Sequence, residues 1–125
     1  IRMRKSISNK KTDKVKFLIK GSGKETRAFN FIDDFTDGFM KIIDKGKHLN
    51  IYNIGSKEEI TIEHLAKLVA NYFNTKLIIV KRPGLSGSTP RRCPNISKLE
   101  SLGYKPKVRI REGIEKVANW YLRNS

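Results

Sequence analysis

An α/β layer architecture is predicted by three features of this sequence. Short apolar runs bounded by glycine and polar turns, at residues 15–19 and 77–80, read as strands. Between them lie longer stretches whose apolar residues recur at helical spacing, such as Phe35, Phe39, Ile42 and Ile43. The two kinds alternate along the chain, which favours strands and helices packed in layers over an all-helical or all-strand domain.

The elements follow in order. Residues 1–7 are helix-friendly but have no capping Ser, Thr, Asp or Asn before them, and they read as the tail of a helix that begins upstream. Residues 8–14 form a polar loop. Val15-Lys16-Phe17-Leu18-Ile19 is a strand closed by Gly21-Ser22-Gly23. Residues 27–32 place Phe29 and Phe31 between polar neighbours, which suggests a second short extended segment. Asp34 is read as the N-cap of the next helix, with Asp37 adding negative charge in its first turn. That helix gathers Phe35, Phe39, Ile42 and Ile43 on one face and stops at Gly46. Ile51-Tyr52-Asn53-Ile54 reads as a buried strand ending at Gly55. Thr61 caps a second helix, with Leu65, Leu68, Val69 and Tyr72 as its inner stripe. After the strand at 77–80 comes a loop at 81–94, dense in Gly, Pro, Ser and Arg. Asn95 caps a short helix ending at Gly103, and a last helix runs from about Arg111 to Arg123 with Ile114, Val117, Ala118 and Tyr121 inward.

Composition narrows the function classes. A chain of 125 residues suits one domain with a modest core. A 38% hydrophobic content in clear patterns excludes a disordered chain. No run of about 18 apolar residues exists, so no membrane span is expected. No charged-then-apolar leader opens the sequence, which makes a cytoplasmic setting the default expectation. The single cysteine, Cys93, excludes an internal disulfide and a Cys/His zinc cluster. The net charge of +15, from 27 basic and 12 acidic residues, points toward polyanions. The basic residues are scattered and rarely interleave with aromatics as a base-stacking platform needs, which favours a lysine-coated surface over a nucleic-acid interface. The exception is the run of Arg2, Arg4, Lys5, Lys10, Lys11, Lys14 and Lys16. It suits a phosphate backbone or a solvated helix end and loop equally well.

Several motifs bear on chemistry. Gly21-Ser22-Gly23-Lys24 follows a strand, but a phosphate-binding loop needs a hydroxyl after the lysine and a glycine at position 18; Glu25 and Leu18 stand there. A dinucleotide fingerprint also fails, because Thr26 occupies its third glycine position. The motif is read as a tight turn. Arg27 lies just after it in an otherwise apolar segment, where a planar guanidinium suits phosphate oxygens; an ion pair with Asp33 or Asp34 is the competing role. Arg82, Arg91 and Arg92 flank one flexible loop bounded by prolines, and they read as an anion clamp or as a solvated loop. His48 and His64 lack partners at metal-ligand spacing. Helix capping explains Asp33, Asp34 and Asp37 better than acid–base catalysis. Cys93 has no convincing base near it in sequence. No metal site and no catalytic residue is assigned.

The ordered set of segments carries a further signal. Gly21-Ser-Gly-Lys-Glu-Thr-Arg-Ala-Phe-Asn-Phe-Ile-Asp-Asp34 comes first, followed by Ile51-Tyr-Asn-Ile-Gly-Ser56. Arg82-Pro-Gly84 and Arg91-Arg-Cys-Pro-Asn-Ile-Ser-Lys98 come next, then Leu102-Gly-Tyr-Lys-Pro106, Glu112-Gly-Ile114 and Trp120-Tyr121. Together they resemble the C-terminal, substrate-binding part of the NAD-dependent nucleotide-sugar epimerases and dehydratases, the extended short-chain dehydrogenases, over roughly residues 15–122.

That resemblance implies an α/β fold: a small substrate-binding lobe of short strands with packed helices, with the Rossmann core absent from this chain. Residues 1–125 would form a nucleotide-sugar-binding C-terminal domain. Arg27 would contact the substrate's diphosphate, and Arg92, helped by Arg91 or Arg82, would close on it from the other side. Phe17, Leu18 and Ile19 would lie beside the nucleotide base, and Asn53 near the site. Asn95 stands where similar proteins often carry Asp. The family's Tyr-x-x-x-Lys pair is not recognised: Tyr72 and Lys76 have the spacing, but Tyr72 lies on the inner stripe of a helix. NAD would be held by an N-terminal Rossmann domain, and that domain, the nucleotide sugar and a second copy in a homodimer are the implied partners. The complete protein would be an epimerase, 4,6-dehydratase or decarboxylase, and this fragment alone would be inactive. The alternative is a stand-alone basic RNA- or DNA-binding module. A third reading is a structural remnant with a sticky apolar face where a partner domain docked.

Overall fold

The computed structural model describes residues 14–124, so the expected helix tail at 1–7 and most of the basic opening run lie outside the described residues. The first strand, β1 (Lys14–Lys20), alternates buried and exposed residues: Val15 and Ile19 turn inward while the lysines and Leu18 turn outward. It pairs in parallel with β4 (Lys76–Arg82), with Val15 opposite Leu77 and Ile19 opposite Lys81. A parallel pair needs a crossover, and the chain between supplies it. That crossover includes β2 (Thr26–Ala28), α1 (Ile32–Lys45), β3 (Glu59–Thr61) and α2 (Ile62–Tyr72). β5 (Arg91–Arg92), α3 (Ser97–Glu100) and α4 (Ile110–Arg123) complete the described elements. A three-stranded sheet runs β3-β2-β5, antiparallel on the β3 side and parallel on the β5 side. The result is a mixed α/β fold of short strands and packed helices, as the alternating pattern predicts.

Two clusters hold it together. Ile19, Ala66 and Ala70 are buried between β1 and α2, with Phe17, Leu77 and Ile79 packed against them. The small alanines let α2 lie close on the sheet. α2 starts as the sequence predicts, with the Thr61 hydroxyl accepting the His64 N–H at 3.1 Å. The second cluster joins Ile96, Leu99 and Tyr104, with Ile42, Tyr52, Ile54 and Leu102 around them. Gly38 makes this cluster possible: a Cβ there would lie 2.9 Å from Ile54 Cγ2 and 3.0 Å from Tyr104 Cε2.

Four expectations change. Asp34 does not cap α1, whose N-cap is Phe31 without a side-chain bond. Asp34 is buried inside the first turn, and its carboxylate accepts the backbone N–H groups of Lys107 at 2.9 Å and Val108 at 3.0 Å. Residues 51–54 form no strand; Ile51 is 84% exposed, and Tyr52 and Ile54 pack side-on against the second cluster. The apolar stripe of α1 splits. Ile42 reaches the core, while Phe35, Phe39 and Ile43 stand exposed together with Ile32 and Met40, because the buried face runs through Asp34 and Gly38. In α4, Ala118 is buried, but Val117 is exposed on an apolar groove of about 290 Å³ between α2, α4 and Phe29–Phe31.

Candidate functional site

The site is built on β2. In the ladder Arg27 stands opposite Ile60 of β3 and Arg92 of β5, while Thr26 stands opposite Thr61 and Arg91, and Ala28 opposite Glu59. Directly paired residues share a face and successive ones alternate. One face therefore carries Thr26, Glu59 and Arg91, and the other carries Arg27, Ile60 and Arg92.

Arg27 and Arg92 meet at Thr89, in the loop before β5. Arg27 Nη2 donates to the Thr89 carbonyl oxygen at 3.0 Å, and Nη1 donates to the Thr26 carbonyl oxygen at 2.7 Å. Arg92 Nε donates to Thr89 Oγ1 at 2.7 Å. Neither guanidinium has a carboxylate partner among the described residues, and the competing pair of Arg27 with Asp33 or Asp34 does not form. Two adjacent cations without a counter-charge favour an anion with more than one oxygen to share between them.

Arg91 behaves differently from its neighbour. Alternation turns it to the opposite face, where the Glu59 carboxylate accepts Nε at 3.0 and 3.1 Å and Nη2 at 2.5 Å. The Glu59 carboxylate also accepts the Thr26 hydroxyl at 2.9 Å. The Arg91 guanidinium holds the Glu59 carboxyl below the usual carboxylate range, with the Thr26 hydroxyl adding to the effect. Arg91 is thus spent on an ion pair and does not stand beside Arg92. Arg82 ends β4 in the other sheet, opposite Lys20, and its carbonyl oxygen accepts the Gly21 N–H at 2.8 Å. Among the described residues its side chain makes no hydrogen bond or ion pair with Arg27 or Arg92.

The three β1 residues expected beside a base are divided by the pleat. Ile19 is 3% exposed within the core and Phe17 packs on the same cluster, so these two are turned away from any ligand on the open face. Leu18 alone faces outward, opposite Val80. Asn53 lies exposed in the irregular segment and donates from Nδ2 to the Asn95 carbonyl oxygen at 3.2 Å, bracing the chain after β5. Asn95 accepts the Ser97 N–H and hydroxyl, at 3.0 and 2.7 Å, but it is not the expected cap of α3: the N-cap is Ile96, without a side-chain bond, and Asn95 makes a local turn one residue earlier. Tyr72 donates to Asn119 Oδ1 at 2.6 Å, a link between α2 and α4.

The glycine turn is closed to phosphate for a reason the sequence only hinted at. Glu25 folds back onto it and accepts the N–H groups of Ser22 at 2.9 Å and Gly23 at 2.8 Å. A carboxylate already sits where a phosphate would need those donors. Gly21-Ser22-Gly23 is also the strand-to-turn segment closest to a dinucleotide fingerprint, and with these two amides taken by Glu25 this turn does not fit the pyrophosphate of NAD. Among the described residues, no three His, Cys, Asp or Glu side chains come together as a metal site, and no helix is long and apolar enough to cross a membrane. Sequence reasoning missed Thr89 and Glu59. A Glu-Ile-Thr triplet is too short for alternation to stand out, and nothing local marks Thr89 as the meeting point of two arginines from separate strands.

The family model described as "NAD dependent epimerase/dehydratase family" matches residues 1–55. GDP-L-fucose synthase 1 of Arabidopsis thaliana is 39% identical over 111 residues, covering 86% of this chain and 33% of that protein. The chain belongs to the NAD-dependent epimerase/dehydratase family. UDP-glucuronic acid decarboxylase 4 of the same plant is 37% identical over 95 residues, 75% of this chain and 21% of that protein. The solved structure of UDP-glucose 4-epimerase from Thermotoga maritima, with UDP-glucose, matches 88% of this chain and 36% of its own at a TM-score of 0.81. At 23% identity the likeness is one of fold, which the TM-score shows to be shared. The chain spans about a third of the length of the curated epimerase/dehydratase relatives it matches first.

Proposed function

We propose that this chain is the nucleotide-sugar-binding lobe of an NAD-dependent epimerase, 4,6-dehydratase or decarboxylase, and that Arg27 and Arg92 grip the substrate's diphosphate. The observation that carries this reading is their placement. They are partners across a parallel ladder, they share a face, and no carboxylate neutralises either one among the described residues. A diphosphate bridging the two relieves their mutual repulsion and offers each several acceptors. Leu18 and Val80, on the open face of the β1–β4 pair, supply an apolar patch for a base. Arg91 is removed from the substrate contacts and Arg82 is kept as an outer cation.

NAD is assigned to an N-terminal Rossmann domain beyond this chain, and no catalytic step is assigned to residues 14–124. When bound, NAD supplies hydride transfer at the sugar; these residues bind and orient the diphosphate. The exposed stripe of Ile32, Phe35, Phe39, Met40 and Ile43 on α1 is where that domain packs. Relatives about three times as long support such a neighbour. The test is equilibrium dialysis of a labelled nucleoside-diphosphate sugar against the full-length protein. Arg27→Ala is expected to weaken binding about tenfold or more, the scale of a lost charged hydrogen bond. Unchanged affinity overturns the reading.

A second reading has its own observation. The open face of the β1–β4 pair carries Lys14, Lys16, Lys20, Lys76 and Arg82, and neither strand contains an acidic residue. A basic RNA- or DNA-binding module predicts affinity for a short RNA that falls steeply with salt and is indifferent to Arg27→Ala.

A further inference from the structure

β5 is two residues long, and its ladder with β2 consists of Thr26 opposite Arg91 and Arg27 opposite Arg92. So short a ladder sets its register weakly. A slip of one residue would carry Arg92 to the other face and bring Arg91 opposite Arg27. What resists the slip lies on the far face of the sheet. The Glu59 carboxylate on β3 reaches across β2, taking the Thr26 hydroxyl at 2.9 Å on the way, and holds Nε and Nη2 of Arg91 on β5 in a two-pronged pair. One side chain thus brackets all three strands. A fork-on-fork pair fixes direction as well as distance, which a single contact would not.

We infer that Glu59 is a positioning residue: by clamping Arg91 it sets the register of β5 and so places the Arg92 guanidinium beside Arg27. This rests on the reading of Arg27 and Arg92 as the diphosphate contacts. The role is distinct from contact with substrate. A carboxylate near a diphosphate repels it, and Glu59 is tolerable there because Arg91 cancels its charge and the sheet lies between.

The sign of the effect makes the inference testable. Removing a negative charge near an anion site should, by Coulomb's law alone, tighten anion binding. Loss of positioning should weaken it. Inorganic pyrophosphate is titrated by calorimetry into the full-length protein and into Arg27→Ala, Glu59→Gln, Arg91→Lys and the swapped double variant Glu59→Arg/Arg91→Glu. Glu59→Gln and Arg91→Lys are expected to weaken binding roughly two- to fivefold, the range an exposed ion pair can deliver. The swap is expected to restore it. Affinity for Glu59→Gln that is equal or tighter, while Arg27→Ala is weakened, overturns the positioning role and leaves the site reading standing. Unchanged affinity in Arg27→Ala overturns the site reading, and the positioning role with it. Arg91→Lys keeps the charge and the stem, so it answers the same question should Glu59→Gln unfold.

Discussion

The Asp34 carboxylate accepts the backbone N–H of Val108 at 3.0 Å, and its other oxygen accepts that of Lys107 at 2.9 Å. One side chain at the start of α1 thereby satisfies two amides just before α4. Replacing it with alanine strands both donors in a partly buried position. Asp34→Ala is expected to lower stability by about 2–3 kcal/mol, within the range for bonds to a charged acceptor. Asp34→Asn, which keeps one acceptor oxygen, should lose less. Urea unfolding curves with unchanged slope would measure both; a loss no greater than an ordinary helix cap, about 1 kcal/mol, would argue against the tertiary role.

Gly38 lies where α1 meets Tyr104 and Ile54. A valine there must push against a ring that is fully buried. Gly38→Val is expected to cost about 1–3 kcal/mol from overpacking, whereas Gly87→Ala, with open space around it but a φ of +76°, should show only backbone strain. Thermal melts of the two variants separate the causes.

The Tyr104 hydroxyl is buried and donates to the Gly55 carbonyl oxygen at 2.9 Å. Burial pushes its pKa above the ordinary value; the hydrogen bond with Asn30 works against the shift, and the Asp34 and Asp37 carboxylates add to it. The folded state therefore keeps this proton where the unfolded chain has lost it. Stability from Tyr104 is complete below about pH 10 and declines as pH rises from there through the folded-state value. Tyr104→Phe should flatten that alkaline decline while costing about 1 kcal/mol at neutral pH for the lost bond. A decline of equal slope in the variant would exclude Tyr104 as its source.

The two arginines that meet at Thr89 should act as one unit. Arg27→Ala and Arg92→Ala are each expected to weaken nucleotide-sugar binding. The double variant should lose less than the sum, with a coupling of about 0.5–3 kcal/mol. Strict additivity from titration of the full-length protein would mean that the two contribute to ligand binding independently and not as one unit.

The exposed α1 stripe predicts behaviour of the isolated chain. Phe35→Ser/Phe39→Ser should leave the fold intact and reduce self-association in sedimentation, because neither ring belongs to a buried cluster. In the full-length protein the same pair should destabilise, since the neighbouring domain loses its contact. Destabilisation of the isolated chain would place those rings in its own core.

Much of this was readable from the residues. Thr61 acts as the cap its position suggests, Gly46 ends α1, and both long strands fall on the apolar runs. Local signals report local geometry well. They could not tell whether Asp34 bonds to its own helix or to Val108, because both roles ask for a carboxylate at a helix start. Nor could they say which side of an amphipathic helix finds a partner: Phe39 and Ile42 are equally apolar, yet only Ile42 reaches the core. Arg27 stood out for its chemistry. Its pairing with Arg92 depends on a strand ladder that joins distant segments, and Glu59 enters only once that ladder is drawn.

The parallel pairing of β1 with β4 also constrains how the chain reaches its native state. Among the described residues, every residue of β1 pairs with a strand that follows two helices and the β2–β3 ladder. Pairings of such long sequence separation form slowly, since chain closure is paid before any contact repays it. During synthesis β1 emerges with Leu18 and an unpaired edge exposed while its partner is still inside the ribosome, and an unpaired strand of this kind invites association with other chains. The lysines at 14, 16 and 20 put like charges along that edge, so two such nascent strands repel one another until β4 arrives.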